Sequence, residues 1–141
     1  MEVSDVRKRV KDTIERAKRA MADRRALVDE ATREYALFLE RIATPMFRQV
    51  ANVLRAEGHL FTVSTPGSSV RLTPDRSSSD FIELALETSG RQPQVVIHSS
   101  RSRGRRVTES EMPIGAGAVR DLTEEDVLSA VLKELELMVE R

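Results

Sequence analysis

The chain has 141 residues, enough for one domain with a real core, and its 23 basic residues are balanced by 23 acidic ones. Hydrophobic residues make up 40% and charged residues 33%, on the polar side of globular, which suits an elongated and well-exposed shape. The absence of cysteine excludes disulfides and thiolate metal sites, and no apolar run approaches the roughly 18 residues of a membrane span.

The first third contains neither glycine nor proline: the first proline is Pro45 and the first glycine Gly58. With position a of a heptad at Arg7, Ile14, Met21, Val28, Tyr35 and Ile42, position d falls on Val3, Val10, Ala17, Arg24, Ala31 and Phe38. All but Arg7 and Arg24 are apolar, a 3.5-residue period that predicts a helix from about Val3 to Ile42. Ala20 and Leu27, at g, widen the stripe beyond a plain two-stranded seam. Ser4 is the expected N-cap, its hydroxyl accepting from a free backbone N–H. Forty helical residues span roughly 60 Å, whereas a compact domain of this size is about 40 Å across. The helix is therefore expected to overhang its own domain and to need cover. A second copy of the chain is the simplest source, so the sequence predicts a homodimer or higher homo-oligomer. Its interface would run through Val10, Ile14, Ala17, Met21, Val28, Ala31, Tyr35 and Phe38. Aspartate at Val28 and Tyr35 should then split the assembly.

Thr44-Pro45 punctuates this stretch and starts a second helix or a kinked continuation, with Met46, Phe47, Val50, Ala51 and Leu54 on its apolar face. Gly58 suits the left-handed residue that closes a helix. Short strands follow: His59 to Thr65, a return through Val70 and Leu72 after a Pro66-Gly67 type II turn, then Asp80 to Thr88. In the last of these Ile82, Leu84 and Leu86 alternate with Glu83, Ala85 and Glu87, one face buried and one wet. The stretch Thr73 to Ser79, with three consecutive serines, reads as an exposed connector. Gln94 to Ser99 and a return strand through Met112 complete five strands in meander order. Pro113 to Ala118 reads as a flexible hinge, and Thr123 caps a final helix whose stripe is Val127, Leu128, Val131, Leu132, Leu135, Met138 and Val139. The fold class is α+β: two helices, a mostly antiparallel sheet, and a C-terminal helix. By organisation, residues 1–43 form a coiled-coil-like helix and residues 44–141 an α+β domain.

Charge is unevenly placed. Residues 1–25 hold nine Arg/Lys against five Asp/Glu, whereas residues 122–141 hold two against six. Arg101, Arg103, Arg105 and Arg106 concentrate four guanidinium groups at one hairpin tip, a pattern able to grip phosphates or an acidic partner. No aromatic residues interleave with them, and the neutral whole-chain balance is unlike that of a typical nucleic-acid binder. Gly115-Ala116-Gly117 lacks the third glycine and lysine of phosphate loops. The two histidines, His59 and His98, have no neighbouring acids at ligand spacing, so neither a metal nor a cofactor is expected. No nucleophile-base grouping or paired carboxylates can be read. Phe81 should project to the wet face beside Glu83 and, with an unpaired sheet edge, mark a groove for a partner peptide. The sequence thus predicts a non-enzymatic, cytoplasmic, homo-oligomeric protein-binding module, acting as an adaptor, chaperone-like factor or assembly component. The alternative is a small nucleic-acid-associated protein that uses the basic helix and the arginine tip.

Overall fold

The computed structural model describes residues 1–77 and 79–139. The long glycine-free stretch is helical throughout: α1 (Val3–Phe38) runs through a π turn (Leu39–Ala43) directly into α2 (Thr44–Ala56). Proline breaks the ladder without ending the helix. Pro45 has no N–H for the carbonyl four residues back, and its ring crowds that turn. The π turn lies immediately upstream, where a widened ladder accommodates the proline. Thr44 is buried and makes no side-chain cap, so it acts as a residue within a continuous helix. At the other end the helix starts one residue before Ser4. Glu2 occupies the cap position in extended backbone, without a side-chain cap bond, which corrects the expectation for Ser4.

The C-terminus of α2 closes as the sequence indicates. Gly58 adopts φ +88°, its N–H bonds to Arg55 O at 3.1 Å, and the His59 N–H reaches Leu54 O at 2.8 Å. That pair of bonds is a Schellman motif.

The sheet is an antiparallel meander in the order β1-β2-β3-β4-β5. Its strands are β1 (Phe61–Ser64), β2 (Val70–Pro74), β3 (Phe81–Glu87), β4 (Gln94–Arg103) and β5 (Arg106–Pro113). Register follows the alternation: Val63 pairs with Leu72, Leu72 with Ile82, Leu84 with Ile97 and Leu86 with Val95. All of these point to one face, because a strand's side chains alternate with period two. Onto that face pack α2, over β1 and β2, and α3 (Glu124–Val139), over β3 and β4. Phe47, Leu72, Ile82, Leu84, Val127, Val131 and Met138 are at most 1% exposed. Each such side chain contributes about 1.5–3 kcal/mol by leaving water.

Two turns differ from their sequence reading. Ser69 N–H bonds to Pro66 O at 3.2 Å, so proline is the first residue of the turn and Gly67, at φ +59°, the second. A positive φ at that position is the hairpin-type arrangement, not the type II turn expected. Gly115, expected in a flexible hinge, is instead packed. At φ +69° an added Cβ would run into Leu122 Cδ2. A short 3-10 turn (Val119–Asp121) then leads into α3. Thr123 caps that helix as expected: its hydroxyl accepts the Asp126 N–H at 3.2 Å, and Asp126 Oδ2 accepts the Thr123 N–H at 2.9 Å. In the serine connector, Ser77 is half-buried and Ser79 exposed, while Ser78 lies outside the described residues, as do Glu140 and Arg141 of the acidic C-terminal stretch.

Candidate functional site

Every residue from 1 to 27 is exposed, and Val28 is the first along the chain to be half-buried. The helix therefore leaves the body as an arm. Its free part, residues 3–23, spans roughly 30 Å at 1.5 Å per residue. Along one side lie Val3 (75% exposed), Val10 (52%), Ile14 (49%) and Met21 (64%), with Val6 and Ala17 beside them. Arg7, Lys11, Glu15 and Lys18 border the Val3–Ile14 part of this strip. A continuous apolar strip on a projecting helix leaves that area in contact with water, which contributes nothing to the helix's own stability.

Arg24 fixes where the arm begins. Its guanidinium donates to the carbonyls of Thr88 and, at 3.3 Å, Arg91, in the connection between β3 and β4. One of the two residues that interrupt the heptad pattern thus ties the helix to the connection between β3 and β4. Arg7, the other interruption, stays exposed.

Beyond Arg24 the seam turns inward. Ala31, Tyr35 and Phe38, expected at an intersubunit interface, belong to the chain's own core with 9%, 3% and 5% exposure. The Tyr35 hydroxyl donates to Ser68 O at 2.6 Å, and its ring meets Phe38 at 6.4 Å. Burial pushes the phenol well above its ordinary pKa, and the nearby Glu83 carboxylate adds to the rise. The sheet consumes this end of the stripe. Of the eight expected interface residues, Val10, Ile14, Ala17 and Met21 remain on the arm, and Val28 sits at the junction.

On the sheet's other face the described residues of β3 are half-buried. Here Phe81 lies beside Glu83 as expected, half-buried under Arg71, whose guanidinium is 4.1 Å from the ring centroid. His98 meets the Phe81 ring edge-on at 5.3 Å, and Arg71 Nε donates to Glu83 Oε2 at 2.6 Å. The cluster is self-satisfied. It sits on the middle strand of five, two strands from either edge, so Phe81 and an unpaired edge do not form the common groove that the sequence led us to expect.

The arginine tip is a two-residue hairpin with Gly104 at φ +65°. Arg103 pairs directly across from Arg106, and Arg101 is two residues back on the same face of β4. Three guanidinium groups thereby share one face, with Arg105 in the turn. None of the four makes an ion pair among the described residues. Arg103 and Arg106 set like charges directly opposite each other, a mildly unfavourable pairing at an exposed tip.

Two buried acids went unnoticed in the sequence. Glu134 is 4% exposed, and its Oε2 accepts the Ser99 hydroxyl at 2.8 Å, with the Ser110 hydroxyl at 3.4 Å. The signal was present, because Glu134 falls within the α3 stripe between Val131 and Met138. Asp80 is 1% exposed and accepts both the backbone N–H and the hydroxyl of Ser102. That bond ties the start of β3 to β4 near the tip. Both acids brace the sheet. His59 is exposed beside β1 and His98 lies on the open face, and the described residues contain no group of three or more His, Asp or Glu able to hold a metal. Arg76, in a cleft of about 300 Å³ lined also by His59, Asp75 and Val139, donates to Met138 O at 3.1 Å at the end of α3. No described helix is long and apolar enough to cross a membrane.

Comparison with protein-family models, with curated proteins and with solved structures finds no match.

Proposed function

We propose that this chain is a non-enzymatic, self-associating binding module of the cytoplasm. The α1 arm joins copies of the chain, and the bodies offer their open sheet face and hairpin tips to a protein partner. The observation that carries the reading is the apolar strip of Val3, Val6, Val10, Ile14 and Met21 on a helix that has left its own core. Joining two bodies raises the effective concentration of the second site once the first has bound, so two modest contacts act as one strong one. An adaptor or assembly component works this way without chemistry of its own. The cytoplasmic placement rests on the cysteine-free composition.

Light scattering on the intact protein tests this reading. The wild type is expected to be a dimer or larger, and Val10→Asp with Ile14→Asp a monomer. Losing two buried aliphatic side chains removes about 3 kcal/mol or more, roughly a hundredfold in affinity. A wild-type monomer at every concentration rejects self-association.

A second reading, contact with nucleic acid, is favoured by one observation: Arg101, Arg103 and Arg106 share one face of the tip and make no ion pair among the described residues. Binding of generic DNA or RNA at low salt, lost steeply as salt rises and weakened by Arg103→Glu with Arg105→Glu, supports it. Undiminished binding by the double variant removes the tip from consideration. Association through the apolar strip, by contrast, persists at high salt, because hydrophobic burial is not screened.

A further inference from the structure

Resting on the self-association reading, we infer that two α1 arms pair antiparallel, about a two-fold axis that crosses the seam between Val10 and Ile14, with residue i of one arm opposite residue 24 − i of the other. Reversing one helix exchanges the a and d positions of the seam, so each a residue meets a d residue of the second copy. In this register Val3 lies opposite Met21, Val10 opposite Ile14, and Arg7 opposite Ala17. Every apolar seam position of the free arm is covered, and the guanidinium of Arg7 passes over a methyl group, its stem packed and its head in water.

Three features select this register. The first is charge. A parallel pair in register stacks Arg7 on Arg7 at the same seam level, a like-charge contact inside a partly desolvated interface. The antiparallel pair gives that arginine an alanine. The second is length. Residue 1 of one arm then lies opposite residue 23 of the other, one residue before Arg24 binds the connection between β3 and β4. The overlap ends where the body begins. Sliding by one heptad in one direction sets Arg7 against Arg24 and drives Val3 against the half-buried Val28. Sliding the other way leaves Ala17 and Met21 uncovered. The third is the flank. Position g carries Val6, Thr13 and Ala20, and reversal brings Val6 beside Ala20 and Thr13 beside Thr13 of the second copy, extending the apolar contact. Position e carries Lys11 and Lys18, and Lys11 approaches Lys11. Those ammonium groups end long stems in water, where the repulsion of like charges is weak and screened by salt.

The geometry places the two bodies at opposite ends of the paired arms, with their hairpin tips and open sheet faces separated by the arm length. Such a module bridges two sites on a partner, or two partners, instead of presenting one joint surface.

Because the chain has no cysteine, introduced thiols report the pairing directly. Val3→Cys mixed with Met21→Cys is expected to oxidise to a covalent heterodimer, and Thr13→Cys to a covalent homodimer, while Arg7→Cys alone stays uncross-linked. All four substitutions lie on the exposed arm, so circular dichroism and light scattering of the reduced variants should match the wild type. Efficient cross-linking of Arg7→Cys to itself, without the Val3–Met21 product, means a parallel pair: the inference falls and self-association stands. Absence of every cross-link from a protein that scatters as a dimer moves the interface off the arm and also overturns the inference. A monomer by scattering removes the self-association reading itself.

Discussion

Arg24 of α1 donates through both terminal nitrogens to backbone carbonyls of the connection between β3 and β4, Thr88 and Arg91. One side chain thus sets the boundary between the arm and the body, 64 residues apart in sequence from its nearer partner. The helix's exposed stretch lies on one side of this contact, and its buried residues Ala31, Tyr35 and Phe38 lie on the other.

Replacing Arg24 with alanine should lower the denaturation midpoint by the equivalent of about 1 kcal/mol, the modest end for charge-assisted bonds at an exposed site. Amide exchange should accelerate in residues 88–93 and at the base of the arm, and stay unchanged in β3 and β4. Arg24→Lys should recover only part of the loss, since one ammonium does not reproduce the fork that spans two carbonyls. Equal exchange rates in wild type and Arg24→Ala would show that the contact does not hold the arm.

Tyr35 gives the protein an alkaline limit. The folded state holds the phenolic proton more tightly than the unfolded chain, chiefly through burial and secondarily through Glu83. A pKa raised on folding adds stability that is complete below the ordinary phenol value of about 10 and declines as pH rises from there through the raised value. Thermal midpoints should therefore fall above about pH 10, with the absorbance of this single tyrosine changing only as the protein unfolds. Tyr35→Phe should remove that component while costing about 1 kcal/mol at neutral pH for the lost bond to Ser68 O. Tyr35→Asp places a carboxylate in the core and should unfold the body, so it reports on stability and not on assembly.

Glu134 is a buried acid held by serine hydroxyls. Glu134→Ala should destabilise the fold by about 2–3 kcal/mol, because it opens a void and leaves the Ser99 hydroxyl without its acceptor. Combining Glu134→Leu with Ser99→Ala and Ser110→Ala should restore most of that loss, since removing all the polar partners together leaves no unmet bond. Chemical denaturation of the single and triple variants decides the point. A triple variant no more stable than Glu134→Ala would mean that the carboxylate contributes more than local satisfaction.

Much of the architecture was legible because it rests on local chemistry. The glycine-free run made a helix, Gly58 closed it, Thr123 opened the last one, and the period-two alternation of Ile82, Leu84 and Leu86 set which face of β3 is buried. The five-strand meander follows from short connections between such strands. The arm's strip was legible too, as a heptad pattern from Val3 onward. Periodicity, however, records only that a face avoids water and does not say what covers it. Tertiary structure divided that single pattern at Arg24, assigning Ala31, Tyr35 and Phe38 to the chain's own sheet and leaving Val3 to Met21 free. It also decided that Glu134 and Asp80 are buried, that Gly115 is packed against Leu122, and that Phe81 lies far from either sheet edge. Each of these depends on contacts between residues distant in sequence, which local propensity does not encode.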